Sequence, residues 1–198
     1  MVTYQLKFLQ GDEFWYNFGM TTYLAFLRGV NVGGNGLISM AELKDALSAA
    51  GLSKVHTYIQ SGNVIFDSAA TSNPALVELV ASVIEKTFAL TVAVAVFSLA
   101  EWRQIITAAP AWWGQDDGWK HNLLIMIEPY DMADTVTAIG ELKPGWEHLK
   151  AGKRVLYQSV DKQYIGRTRT GSKLASSSVY KRMTIRNYNT ATKLLALM

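Results

Sequence analysis

The run Val92-Ala93-Val94-Ala95-Val96-Phe97 is apolar at every position. Read as a strand, it sends Val92, Val94 and Val96 to one face and Ala93, Ala95 and Phe97 to the other. A strand with one solvated face would carry polar residues at alternate positions. This one needs cover on both faces, so the chain must place its sheet between two layers. The rest of the sequence has to supply them.

The segments around that run have recognisable periods. Tyr23 to Arg28 (Tyr-Leu-Ala-Phe-Leu-Arg) is a short apolar strand ending at glycine. Ser39 and Glu42 form an S-x-x-E capping box. Met40, Leu43, Leu47 and Ala50 then repeat at helical spacing until Gly51. Val55, Thr57 and Ile59 alternate with His56, Tyr58 and Gln60, and Ser61-Gly62-Asn63 turns the chain into Val64-Ile65-Phe66. Asn73 and Pro74 open a second helix with the stripe Val77, Val80, Ile84 and Phe88. Thr91 to Phe97 is then the fourth strand. The order β-α-β-β-α-β over roughly 22–97 is the ferredoxin-like arrangement, with sheet order 4-1-3-2.

The second half echoes the first. Ser98 and Glu101 form another capping box, and that helix ends near Pro110. Leu123 to Ile127 and Val155 to Val160 read as strands, the latter with a partner near Trp146 to Leu149. A helix is expected over Asp131 to Ile139, helical structure over 172–181, and a weak strand at Thr184-Ile185. A last helix carries Leu194, Leu195 and Leu197. The fold class is α+β: an N-terminal ferredoxin-like βαββαβ half, then a second, similar α/β half plus a C-terminal helix. The expected divisions are 20–97 for the first half and 98–198 for the second. Residues 1–19 show no clear period and read as a leader or extension before a natural start at Met20, with a strand at Thr3 to Leu9 as the competing reading.

Composition narrows the function. With no cysteine, thiol nucleophiles and thiolate metal sites are excluded. No apolar run approaches the ~18–20 residues of a membrane span, and no signal peptide is visible, so a cytoplasmic protein with no membrane partner is expected. Residues 1–149 hold 8 Lys/Arg and 15 Asp/Glu, while 150–198 hold 11 Lys/Arg and only Asp161. A C-terminal quarter this basic suggests an anionic partner, either a small molecule, a nucleic acid or the acidic remainder of the chain. Its residues Lys153, Arg154, Arg167, Arg169, Lys173, Lys181 and Arg182, with Tyr157, Tyr164 and Tyr180, could track phosphates. No RNA-binding aromatic pattern accompanies them, and a solvated basic face is the plainer reading.

The segment with most chemical promise is Arg28-Gly29-Val30-Asn31-Val32-Gly33-Gly34. The topology puts it at one sheet edge with the hairpin Gln60-Ser61-Gly62-Asn63 and the start of the first helix. Backbone N–H groups, glycines and a cation at such an edge can hold an anion. The glycines fit neither the G-x-G-x-x-G pattern nor a Walker motif, so no nucleotide cofactor is implied. They can equally serve positive-φ turns, with Asn and Ser satisfying loop backbone. Arg28, ending a buried strand, needs a partner: a ligand or an internal carboxylate. The late segment Arg186-Asn187-Tyr188-Asn189-Thr190 opens the last helix, with Asn189 or Thr190 as N-cap, and is expected either to share the loop site or to dock that helix. The candidate ligand set is therefore Arg28, Asn31, Gly33, Gly34, Gln60, Ser61, Asn63, Arg186, Asn187 and Asn189. His56, His121 and His148 lack ligand spacing, so no metal site is expected. Trp112, Trp113 and Trp119 are expected to plug the junction between halves.

Four stretches carry a resemblance: 23–34 (Tyr-Leu-Ala-Phe-Leu-Arg-Gly-Val-Asn-Val-Gly-Gly), 40–43 (Met-Ala-Glu-Leu), 58–64 (Tyr-Ile-Gln-Ser-Gly-Asn-Val) and 186–194 (Arg-Asn-Tyr-Asn-Thr-Ala-Thr-Lys-Leu). Through them the chain resembles a bacterial domain-of-unknown-function family, number 1697, over about 20–198. The resemblance implies paired ferredoxin-like subdomains and no established activity. Tyr188 stands where that family commonly has tryptophan, which keeps an aromatic ring and loses an N–H donor. Three functions stay open: a binding module for a phosphate-bearing small molecule or nucleic acid at the loop edge, an enzyme on a small anionic substrate oriented by Arg28, and a structural or partner-binding protein whose motifs serve the fold. No catalytic base is evident.

Overall fold

A computed structural model describes residues 19–34, 36–69 and 72–198. The leader and strand expected before residue 19 lie outside these residues. Eight strands and five helices follow in order: β1 (Thr21–Leu27), α1 (Met40–Ala49), β2 (Ser53–Tyr58), β3 (Asn63–Ser68), α2 (Asn73–Phe88), β4 (Val94–Ser98), α3 (Leu99–Thr107), β5 (Trp119–Met126), α4 (Met132–Ile139), β6 (Glu147–Gly152), β7 (Val155–Asp161), β8 (Met183–Asn187) and α5 (Tyr188–Leu197). They build two four-stranded antiparallel sheets, ordered β2-β3-β1-β4 and β6-β7-β5-β8. The two orders are the same ferredoxin-like permutation, so the duplication expected from the sequence is present at the level of topology.

The doubly apolar strand finds its two covers. Val94 and Val96 join Ala25, Leu27, Val64 and Phe66 against Leu43 and Leu47 of α1 and Leu76, Val80 and Ile84 of α2. On the other face Ala95 and Phe97 join Leu24 and Phe26 in a core shared with the second sheet, through Leu123, Ile125, Val155 and Tyr157. Helices α3 and α5 enter that shared core with Trp102, Ile105, Ala191 and Leu194. Phe26, Phe97 and Trp102 form a ring cluster with centroids 4.9–6.0 Å apart. Each is fully buried, stabilising the junction by roughly 2–3 kcal/mol. Below the second sheet, Leu124, Met126 and Leu156 pack on Ile139 of α4 and on Leu174 and Met183.

Several local details differ from expectation. The fourth strand begins at Val94 rather than Thr91. Ser98 and Glu101 form a reciprocal capping box, whereas Ser39 accepts from the Glu42 N–H without the return bond. Asn73 lies inside α2, with Ser72 at the cap position. Its side chain donates across to Glu101 Oε2 at 2.8 Å. The helical segment expected over 172–181 breaks into a single π-type turn, Thr170–Leu174, and a 3-10 turn, Ser178–Arg182. The region contains Gly, which is costly in a helix, and is rich in Ser and Thr, whose side chains bond local backbone. Ser172 and Ser176 hydroxyls do so, donating to Thr168 O and Ser172 O. The second half therefore lacks a continuous counterpart of α2.

Candidate functional site

The glycine loop leaves β1 at its last buried residue, Leu27. Its N–H donates to Gly62 O at 2.8 Å, and the next N–H, of Arg28, donates to Ala93 O at 3.0 Å. The loop and the β2–β3 hairpin are thus in direct contact, as the sheet order required. Gly62, at φ +73°, is the closest approach. A Cβ there would sit 2.5 Å from Val30 Cγ2 and 2.7 Å from Leu27 Cβ. Only glycine lets the hairpin tip lie on the loop.

Asn31 is the staple of this edge. It adopts φ +55°, tolerable for asparagine. Its Nδ2 donates to Ile38 O at 3.0 Å and Gln60 O at 2.9 Å, while Oδ1 accepts from the Ile38 N–H at 2.9 Å. One amide side chain joins the loop, the approach to α1 and the hairpin. Asn63 is fully buried. It donates to Tyr58 O at 3.0 Å and Ser61 Oγ at 3.2 Å, closing the hairpin from within.

Two arginines then cross between the halves in opposite directions. Arg186, on β8 of the second sheet, is 7% exposed. Its Nε donates to Asn63 Oδ1 at 2.5 Å, and its Nη2 donates to Leu27 O, Ser61 O and Gly62 O at 3.0, 2.7 and 3.1 Å. Nη1 donates to Thr184 Oγ1 and Ile185 O at 2.8 and 2.9 Å. The guanidinium also lies 5.4 Å from the Phe26 ring centroid. Burial pulls its pKa down to about 10, still far above neutrality, so the group stays charged and six oxygens replace its water. Arg28, at the end of β1, reaches the other way. Its Nε donates to Met183 O at 3.0 Å and its Nη2 to Tyr180 O at 3.4 Å, with the Tyr180 ring 5.7 Å away. The expected alternative of an internal carboxylate is not what holds it. Among the described residues the ion pairs are Lys54–Asp67 and Arg154–Glu101, neither involving Arg28 or Arg186.

A cavity of about 340 Å³ opens where the arginines cross, lined by Arg28, Val30, Val32, Ser61, Tyr180 and Arg186 among others. Arg28, Ser61 and Arg186 of the candidate set therefore meet at one open space. Asn31 and Asn63 are drawn into the hydrogen-bond network behind it. Gly33, Gly34 and Gln60 are exposed on the loop and hairpin surface and do not line the cavity. Asn187 and Asn189 go elsewhere. Asn187, not Asn189 or Thr190, is the N-cap of α5, accepting from the Thr190 N–H at 2.8 Å. Asn189 is exposed on the first turn of that helix. The strand runs to Asn187, two residues past the expected Thr184-Ile185, and α5 follows at once from Tyr188, so the cap falls at Asn187.

A model of a protein family of unknown function, DUF1697, matches residues 20–157. The chain belongs to the DUF1697 family. A solved structure of the conserved bacterial protein SP0830 from Streptococcus pneumoniae is similar to it, with 30% identity and a TM-score of 0.80, covering 90% of this chain and 98% of that one. No protein of curated function matches the sequence. The family match includes the glycine loop and the hairpin and stops before Arg186, the residue that ties them to β8.

Other sequence expectations sort by burial. Trp113 does sit at the junction, buried in the shared core, with its Nε1 donating to Asn122 O at 2.9 Å. Trp112 packs on that core's margin, while Trp119 stacks on His148, centroids 4.8 Å apart. Tyr188 packs edge-on against Trp113 at 4.8 Å. The basic surface has no continuous stacking platform: Tyr157 is buried, Tyr164 stacks on Trp146 at 4.1 Å, and Tyr180 faces Arg28.

Two polar centres have roles the sequence did not suggest. Buried Glu147 accepts from the N–H groups of Lys143, Arg169 and Thr170 and from Thr170 Oγ1 at 2.7–3.2 Å. Burial raises its pKa, but these bonds outweigh it, and the carboxyl is held below the usual range. Arg154, expected on the basic surface, is the other: it turns inward over Phe97, its Nη1 donating to Val96 O at 3.1 Å. Neither sits in a motif. No helix among the described residues is long and apolar enough to cross a membrane.

Proposed function

We propose that the chain is a binding module for a small phosphate-bearing molecule, seated in the cavity between the glycine loop and β8. The observation that supports it is Arg28: a cation on the cavity wall, fixed through Nε and Nη2 to backbone carbonyls and facing no carboxylate among the described residues. Backbone anchoring leaves Nη1 for a ligand oxygen and orients the fork before binding, which lowers the ordering cost. The nearby Arg186 charge adds to the positive potential, although all its nitrogens are already engaged. The cavity size favours a small molecule over a polymer. Among the described residues lining the cavity none is placed as a general base, so the reading is of binding.

The test is calorimetry and thermal shift with inorganic phosphate, pyrophosphate, nucleoside monophosphates and a short single-stranded oligonucleotide. A charge-assisted hydrogen bond is worth about 1.5–3 kcal/mol, so Arg28→Met should weaken binding roughly 10–100-fold. Val32→Trp, at an exposed lining position, should block the cavity without unfolding the chain. If no probe binds, or Arg28→Met binds as the wild type does, the reading fails. Preference for the oligonucleotide would replace the small molecule by a nucleic acid.

A second reading has its own support. Arg186 has every nitrogen engaged, four of its six bonds going to the first half. On this reading the motifs are an interlock between halves, and ligand binding is absent.

A further inference from the structure

A second cavity, of about 230 Å³, lies at the opposite end of β1 from the glycine loop. The tip of the β6–β7 hairpin closes there over α3, and Phe97, Glu101, Ile105, Ala108, Gly152 and Arg154 are among the lining residues. Three features of Arg154 mark it. Arg154 occupies the turn between β6 and β7 at φ +60°, a conformation that favours Gly or Asn. That strained backbone turns the side chain inward, with its guanidinium 4.1 Å from the Phe97 ring centroid and Nη1 donating to Val96 O at 3.1 Å. Its Nε is buried with no acceptor, the one such side-chain atom among the described residues. Unpaired buried donors are costly and call for a partner.

Glu101 supplies the opposite half. Its Oε2 takes all three hydrogen bonds, from Asn73 Nδ2, Ser98 N and Ser98 Oγ at 2.8, 2.8 and 3.1 Å. Oε1 takes none and stands 4.0 Å from Arg154 Nη1, within ion-pair range but beyond hydrogen-bond reach. So a guanidinium with one N–H unpaired and a carboxylate with one oxygen free of hydrogen bonds meet at a cavity whose apolar floor includes Ile105 and Ala108, with fully buried Phe97 beneath the guanidinium. Lys150 and Lys153 stand at the rim.

We propose that this cavity binds a free α-amino acid with a small apolar side chain. Its carboxylate meets Arg154 and the lysine rim, its ammonium meets Glu101 Oε1, and its side chain lies on the apolar floor. A simple carboxylic acid leaves Glu101 facing like charge, and a simple amine does the same to Arg154. Discrimination thus comes from the paired charges.

The experiment compares leucine, 4-methylpentanoate and isopentylamine by calorimetry and thermal shift on the whole chain. Leucine should bind and raise the melting temperature, and the two single-charge analogues should bind at least ten-fold more weakly. Arg154→Asn suits the positive φ, so it should fold normally and lose leucine binding at least ten-fold. Ala108→Trp fills the floor from an exposed position and should also abolish binding. The proposal is overturned if leucine does not bind, if either variant binds it like the wild type, or if 4-methylpentanoate binds as well as leucine.

Discussion

Replacing Arg186 by methionine removes the guanidinium and keeps much of the apolar stem. Six hydrogen bonds disappear, but their loss is not uniform. Gly62 O keeps the Leu27 N–H, and half-buried Ser61 has access to water. Asn63 Oδ1, on a fully buried side chain, loses its cationic donor, as does Leu27 O. A buried group left without its partner costs about 1–3 kcal/mol. Two such groups, offset partly by the relief of a buried charge, give a destabilisation of about 4 kcal/mol. For a chain of this size that corresponds to a fall in Tm of about 8–16 °C. Urea unfolding followed by circular dichroism reads the free energy, and a melting scan reads the temperature. Arg186→Lys should recover less than half, because one ammonium cannot span the three segments that the planar fork joins. A cycle of Arg186→Met with Asn63→Ala should show coupling above about 1 kcal/mol. A loss below about 1 kcal/mol for Arg186→Met, with no coupling to Asn63, would refute the claim that this cation holds the two halves.

Other perturbations follow from the same network. Gly62→Ala should destabilise by about 2–4 kcal/mol in urea, combining the left-handed backbone cost with overpacking against Val30 and Leu27. Asn31→Ala should cost about 2 kcal/mol and speed hydrogen exchange at the Ile38 amide, which loses its acceptor. Gly114→Ala, at φ +88° with the Tyr188 ring 2.2 Å from a new Cβ, should lower Tm and perturb near-ultraviolet dichroism from Trp113 and Tyr188. Glu147 has a folded pKa depressed below its ordinary 4.5, so its stabilising contribution is complete above that value and fades as pH falls through the lower folded pKa. Stability measured from pH 6 to 3 should therefore drop less steeply in Glu147→Gln than in the wild type.

The strands Tyr23 to Arg28 and Val94 to Phe97 were legible because burial on both faces leaves no polar residue to confuse the pattern. Ser98, Pro74 and Asp131 marked helix starts through chemistry that is local to a few residues. The segment 162–182 was not legible as turns, because serine and threonine bonds to nearby backbone leave no period to count. At the candidate site, the meeting of loop and hairpin followed from strand order alone. The actual partners of Arg28 did not. They are the carbonyls of Tyr180 and Met183, more than 150 positions away, and a carbonyl has no sequence signature because every residue carries one. The same reason hid the Arg154 and Glu101 pairing, where a turn residue and a capping residue become neighbours only after the halves dock.

What the sequence determined by itself was the order of elements, the two-sided burial of the central strands, and the edge at which the glycine loop and hairpin must meet. Those depend on periodicity and on the fixed handedness and pairing of strands, which are short-range physics. What only the tertiary structure decided was the use of the charged residues. Whether an arginine faces solvent, a carboxylate or a ring of backbone oxygens depends on how two independently patterned sheets pack. In this chain that packing sets Arg186 among six oxygens, holds Arg28 at the edge of a cavity, and leaves Arg154 with a buried N–H still unpaired.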